Sequence, residues 1–454
     1  MGFWDLVLFY IVTSFSIRWI ATAAAAGPSS LLIWVIACVT FFVPLAYCTL
    51  RLSALYPQEG GLYVWTKKAF GGFAGFITGW NYWGSNLPYF PSLLYFAAGN
   101  ALFIGGADWQ RLSTSSTYFI IFSVIGLAIA AGLNVAGLDI SKWLHNLGAI
   151  CSWIPALLLV GMAPVAWSRF GSATAIDLPA MLPGTHLKDV VFWSTIAFAF
   201  SGVESASVMG DEIRDARRNI PRGVILAGVI MTLFYIAATA SVLIAVPQSE
   251  VSGLQGFTQA IDAVATRVGM KSLVPFIAAM VSLSALGGVA AWFAAAGRLP
   301  FIAGVDRYLP EVFGRLHPKW GTPYVSLLIQ AAIAFVFVLL GQAGTTVKGA
   351  YDVLVSMSVI AYFIPYLLMF AALPKLDPRP ASKLWGALGF LTTTISIVLA
   401  AIPAADDPNK TLAVTKTIGL TLLMLGIGSL IYGLGRPRTD RISSRGSFGD
   451  WWQR

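Results

Sequence analysis

The sequence predicts an all-α membrane protein with twelve transmembrane helices and a short polar tail. Three observations carry that expectation. The 454-residue chain is 57% hydrophobic and 11% charged, with a mean hydropathy of +0.76. A soluble domain is about 45–50% apolar and about 25% charged. The apolar residues gather into runs close to the ~20 residues that cross a bilayer core. Lys and Arg sit in the short segments between those runs, where they set orientation. Soluble enzymes, disordered chains and nucleic-acid-binding domains are excluded. The net charge of +9 is spread over loops and forms no basic face, so no nucleic-acid partner is expected.

The spans fall at 6–26, 30–50, 74–104, 116–136, 143–166, 189–209, 223–247, 273–297, 323–341, 350–373, 384–403 and 412–434. Inside hydrocarbon each span must satisfy its own backbone groups, so each is expected to be a helix. A barrel strand would alternate over about ten residues, and the run from Leu226 to Val246 does not. With the N-terminus inside, the cytoplasmic segments hold 20 Lys and Arg against 7 outside. That bias predicts both termini in the cytoplasm and a multi-pass protein of the cell membrane. No Lys or Arg precedes Arg18, so the first run is expected to be a permanent span, not a cleaved signal. Residues 435–454 form a polar tail ending near Trp451 and Trp452.

Catalytic and metal chemistry find no support. Cys38, Cys48 and Cys151 lie in or beside apolar runs without metal spacing. His145, His186 and His317 are dispersed. No GxxxxGK[ST] loop occurs. No cofactor, metal site or enzymatic activity is expected, and transport must draw on gradients or exchange.

Two spans carry polar interruptions. Span 1 contains Thr13-Ser14-Phe15-Ser16-Ile17-Arg18-Trp19. Span 6 contains Phe198-Ala199-Phe200-Ser201-Gly202-Val203-Glu204-Ser205. Each opens a block of five spans, and discontinuous helices in matching positions point to a midplane binding site. Ser14, Ser16, Ile17 and Arg18, with Phe200, Ser201 and Gly202, are the candidate substrate residues. A charge such as Arg18 costs about 2.5–3.5 kcal/mol at a helix centre. It is either paired structurally or meets a substrate carboxylate or gate. Glu204 is either neutralised by an arginine or carries a proton. Tyr82, Asn86 and Tyr89 share one face of span 3, which either lines a pocket or packs against a neighbour. Trp292, Ser282 and Ser284 in span 8, and Ser356, Ser358 and Tyr362 in span 10, are weaker candidates.

Three further stretches carry a family resemblance. They are Pro57-Gln58-Glu59-Gly60-Gly61-Leu62-Tyr63-Val64-Trp65; Phe200 to Ser205 with Asp211-Glu212-Ile213 and Arg217-Arg218-Asn219-Ile220-Pro221-Arg222; and Ala296-Gly297-Arg298-Leu299-Pro300 with Asp306-Arg307-Tyr308-Leu309-Pro310 and Gly321-Thr322-Pro323. Together they resemble the amino acid–polyamine–organocation (APC) permeases. Pro88 to Phe96 and Ala291-Trp292 are most similar to the bacterial glutamate/GABA antiporters.

The resemblance implies a LeuT-like 5+5 inverted repeat. Residues 1–166 hold spans 1–5, residues 188–373 hold spans 6–10, and residues 384–434 add spans 11 and 12. It also implies a small amino acid cargo moved by alternating access, as proton-coupled symport or exchange. Glu59 then belongs to a cytoplasmic loop that either turns the chain or gates it. A polyamine or other amine carrier is the alternative, and a channel or receptor is a different class. Expected partners are the amino acid or amine, a proton or counter-substrate, and the lipid bilayer. Three positions depart from the family pattern. No glycine separates Ser14 from Arg18, Gly288 stands where the antiporters carry an acid, and Cys151 lies near the place of a deep lysine.

Overall fold

A computed structural model describes residues 4, 7, 15–56, 61–183, 187–204, 216–297, 309–404 and 407–435. Among the described residues the regular structure is helical and no strand occurs. Among the described residues, ten helices are long and apolar enough to cross a membrane. They are spans 2–5 and 7–12. Span 2 runs Ser29–Leu55, span 3 Gly72–Ile104 and span 4 Ser116–Ala136. Span 5 is Leu138–Phe170, span 7 Ala216–Ala245 and span 8 Val274–Ala296. Spans 9 to 12 are Tyr324–Gln342, Val347–Leu376, Pro380–Ala400 and Lys410–Leu434. Several outrun the apolar stretch, because a helix continues wherever its polar end reaches water.

Spans 1 and 6 are the exceptions. Their described helices are Ile17–Ala25 and Leu187–Phe198, of 9 and 12 residues. At 1.5 Å per residue neither crosses the ~30 Å core alone. Trp4 and Val7 are helical, whereas Phe15 and Ser16 are not.

Irregularities elsewhere in the bundle have local causes. Pro44 in span 2 has no N–H, which frees the carbonyl of Thr40 four residues earlier. Thr392 of span 11 donates its hydroxyl to that carbonyl at 3.0 Å, and a π turn at Cys38–Phe42 precedes the proline. Spans 5 and 8 meet backbone to backbone. A Cβ on Gly287 would lie 2.6 Å from Gly148 Cα and 2.7 Å from the Leu144 carbonyl. Small residues allow such approach where lipid gives no hydrophobic drive. Buried amides join the other helices. Gln330 of span 9 accepts from Trp83 Nε1 and donates to the Phe293 carbonyl, both at 3.0 Å. Asn134 of span 4 donates to the Ala290 carbonyl at 3.0 Å.

A charged clamp ties spans 2, 10 and 11. Arg51 Nε donates to Asp377 Oδ2 at 2.6 Å, and Ser382 Oγ donates to the same oxygen at 2.6 Å. Arg51 at this hydrogen bond, opposed by burial and aided by Ser382, holds the Asp377 carboxyl below the usual carboxylate range. A depressed carboxyl contributes stability above its unfolded pKa, and loses it as pH falls through its folded value.

Two outcomes follow. Gly287→Val should leave little folded protein in detergent gel filtration; a monodisperse peak with wild-type melting would contradict the close packing. Asp377→Asn should lower the melting temperature at pH 7 by a few degrees. The difference from wild type should close as pH drops below about 4, the ordinary Asp value. Identical melting of the two proteins at pH 7 would remove the clamp's contribution.

Candidate functional site

A helix that stops inside the bundle frees backbone donors and acceptors, and each needs a partner. In span 1 the backbone at Ser16 is extended (φ −140°, ψ 124°). Its N–H donates to the Tyr235 hydroxyl of span 7 at 3.1 Å. Tyr235 stacks face to face on Trp34 of span 2, with ring centroids 4.3 Å apart. Trp34 in turn donates to Thr239 Oγ1 at 3.0 Å. Phe15 stacks on Trp153 of span 5 at 4.3 Å.

In span 6 the helix ends at Phe198 and the chain turns through Gly202 at φ +110°. A side chain at position 202 would be strained. The Gly202 N–H reaches the Tyr366 hydroxyl at 3.2 Å and Glu204 Oε2 at 3.1 Å. Glu204 is fully buried and collects four donors among the described residues. Oε1 accepts from Tyr82 at 3.1 Å and Tyr362 at 2.7 Å; Oε2 accepts from Tyr366 at 2.5 Å and from Gly202. Glu204 thereby ties the span-6 break to spans 3 and 10.

A cavity of about 530 Å³ lies between the two breaks. Ser16 to Trp19 form one wall and Phe198, Ala199 and Ser201 the facing one. Asn86 and Tyr89 of span 3, Ser152 and Trp153 of span 5, and Ser284 and Trp292 of span 8 complete it. Asn146 and Ala295 are the exposed members of the lining, so the mouth lies where span 5 begins and span 8 ends. Among the described residues no Asp or Glu lines the cavity, and Arg18 is its sole Lys or Arg.

Arg18 is 0% exposed. Its Nη1 donates to Ser92 Oγ at 2.7 Å. Its guanidinium carbon sits 4.0 Å from the Trp19 ring centroid and 4.9 Å from that of Tyr89. Nε and Nη2 are buried without a hydrogen-bond partner. Across the cavity, Ser201 Oγ is buried and equally unpartnered. The helix Leu187–Phe198 points its negative end here.

The sequence-predicted residues fall into three groups. Ser16, Ile17, Arg18, Asn86, Ser201 and Trp292 line the cavity. Tyr82, Gly202 and Glu204 form the hydrogen-bonded layer behind it. Phe200, expected in the pocket, does not line it. The helix ends two residues earlier, and the turn packs Phe200 against Trp34 and Phe42, each at 5.6 Å. Ser14 and Glu59 lie outside the described residues. Sequence reasoning missed Trp19, Ser92, Tyr235 and Tyr366. A phenol at position 366, one helical turn after Tyr362, was a readable signal; Tyr235 gave none, because its partner is 219 residues away.

Among the described residues, ten helices able to cross a membrane and two shorter ones that end at a shared cavity are the architecture of a membrane transporter. The chain belongs to the amino acid permease family, within the APC superfamily; the family model matches residues 1–428. An uncharacterized transporter from Legionella pneumophila is 26% identical over 435 residues, covering 90% of this chain and 91% of its own. The probable agmatine/putrescine antiporter AguD of Lactococcus lactis is 24% identical over 436 residues, covering 90% of each. The crystal structure of MhsT in complex with L-phenylalanine superposes with a TM-score of 0.59 at 13% identity. It covers 87% of this chain and 97% of that one. The fold is LeuT-like.

Single cysteines in a cysteine-free background test where the cavity opens. In the cargo-free protein, Asn146→Cys and Ser284→Cys should react with an impermeant thiol reagent faster from the side on which span 5 begins. Faster labelling from the opposite side would contradict the position of the mouth.

Proposed function

We propose that this protein is a secondary active transporter that moves a small amino acid across the cell membrane by alternating access. The supporting observation is the polarity of the cavity. Arg18 stands in one wall, and the negative helix end with Ser201 stands in the other. A zwitterion fits that arrangement. Its carboxylate meets the positive start of the helix Ile17–Ala25, and its ammonium meets the span-6 break. Ser16, Ile17, Asn86 and Trp292 shape the space between. Phe200 and Gly202 act from behind, by holding the break.

With both termini in the cytoplasm, the mouth faces inward. Cargo that neutralises both walls favours the closed bundle, because binding shifts a carrier toward the state it contacts best. Transport is then exchange or proton-coupled symport. Glu204 is the coupling group we favour, with Glu59 at the inner gate. A proton on Glu204 would turn one acceptor into a donor among three phenols that already donate, namely Tyr82, Tyr362 and Tyr366. The tie between span 6 and spans 3 and 10 would loosen.

The amine-carrier alternative draws on the Lactococcus lactis relative. A dication would find no carboxylate among the described lining residues, which is why we rank it second.

Reconstituted vesicles test the function. A panel of radiolabelled amino acids and amines should reveal saturable uptake of an amino acid, accelerated by a pH gradient or by internal cargo. Glu204→Gln should lower uptake at least tenfold and flatten its pH dependence while the protein remains folded. Non-saturating conductance, or uptake of amines alone, would contradict the proposal.

A further inference from the structure

We propose that the bundle end around the turn between the helix Gly61–Phe70 and span 3 is a binding site for anionic phospholipid headgroups. The inference goes beyond the carrier proposal and does not depend on it, because it needs only a protein embedded in a bilayer.

The site begins as a sequence pattern. Tyr63, Lys67 and Phe70 stand at i, i+4 and i+7 and share one face of the helix Gly61–Phe70. A different face, with Leu62, Trp65 and Thr66, is buried in the bundle. The chain then turns through Gly71, at φ +93°, into span 3. A Cβ on Gly75 would lie 2.7 Å from Lys67 Cβ, so this glycine lets the helix lie directly against span 3.

Folding gathers other spans around that turn. Lys375, at the end of span 10, holds its Nζ 4.2 Å from the Phe70 ring centroid. Phe73 of span 3 meets Tyr432 of span 12 edge-on, with centroids 5.3 Å apart. Phe70 and Phe73 are 37% and 49% exposed, and Lys67, Lys68 and Lys375 are exposed beside them. Exposed rings next to cations mark the membrane–water interface, where aromatic side chains sit at headgroup level. A lysine there lays its stem on apolar surface and carries its ammonium toward water.

Charge decides the occupant. Asp377 is the one acid among the described residues of 47–56, 61–76, 370–386 and 424–435. Arg51, Ser382 and, at 3.7 Å, Arg379 already surround its carboxylate. No ion pair among the described residues includes Lys68 or Lys375. Lys68 lies over a ring instead, with Nζ 5.1 Å from the Tyr56 centroid. The sequence adds Arg436, Arg438, Arg441 and Arg445 just past span 12. Basic clusters beside a membrane helix attract anionic lipid. Such a lipid brings the missing negative charge to the depth of the ammonium groups and lays its acyl chains along Phe70 and Phe73. Inorganic phosphate brings charge without chains, and phosphatidylcholine cancels its own phosphate. A headgroup bridging Lys67 and Lys375 would hold the helix Gly61–Phe70 to the end of span 10.

The test is thermal melting of the purified full-length protein in detergent, titrated with phosphatidylglycerol, phosphatidylcholine or inorganic phosphate. Phosphatidylglycerol should raise the melting temperature by several degrees, and the other two should not. Lys67→Gln/Lys375→Gln should melt like wild type without lipid. It should need roughly tenfold more phosphatidylglycerol for half the rise, as expected for two charges lost near an anionic surface. Each single variant should show part of that loss, and native mass spectrometry should count fewer retained phosphatidylglycerol molecules. Lys67→Arg/Lys375→Arg keeps the charge and should respond like wild type. So should Lys271→Gln/Lys410→Gln, which lie before spans 8 and 12 at the opposite end. Equal rises with both lipids, a rise with inorganic phosphate alone, or a wild-type response in the Lys67/Lys375 glutamine pair would overturn the site. An equal loss in the Lys271/Lys410 pair would overturn it too, by reducing the effect to net charge.

Discussion

A backbone left bare inside an apolar bundle must find partners, and the rest of this structure is arranged around that constraint. Two helices stop near the middle of the fold, at Ser16 and after Phe198. Each stop leaves peptide groups without a helical partner. Phenols from distant spans answer at both places. Tyr235 accepts from Ser16, and Tyr366 accepts from Gly202. A phenol suits the task because its rigid ring packs among apolar neighbours while its hydroxyl both gives and takes a hydrogen bond. The Trp34–Tyr235 stack and the Glu204 cluster hold those phenols in turn. The breaks are thus held by side chains of other spans, and a cavity lies between them.

The two buried charges beside the breaks are treated in opposite ways. Glu204 is surrounded by donors and withdrawn behind Tyr362. Arg18 keeps two donors unanswered within the cavity wall. One charge is met by hydrogen-bond donors on every side described, and the other meets one hydroxyl and two aromatic rings. This asymmetry, more than the amount of polar surface, is the basis of the proposed zwitterionic cargo. The chain belongs to the amino acid permease family and has a LeuT-like fold.

Much of this was legible in the sequence. Ten spans could be placed because their apolar runs match the bilayer and their charges collect between them. The breaks were legible because Ser, Gly and charged residues in mid-span conflict with a continuous lipid-facing helix. The orientation of Phe200 was not, since a turn of four residues can aim a side chain at the cavity or at the core. Here the helix end at Phe198 sends it to Trp34 and Phe42. The partners of the breaks were hidden for a different reason. Tyr235 and Tyr366 lie in ordinary helical stretches, and only the folded chain brings them to positions 219 and 164 residues away. The Gly148–Gly287 contact is hidden in the same way, because glycine is common in such spans and only its pairing is informative.

The central claim is that the two breaks jointly form the cargo site. A cryo-EM map of the protein with a transported amino acid tests it most directly. The account predicts density between Ser16–Arg18 and Phe198–Ser201, with the cargo carboxylate toward the start of the helix Ile17–Ala25 and its ammonium toward Ser201. Cargo density outside that cavity, or unbroken helices through positions 15–16 and 199–202, would contradict it.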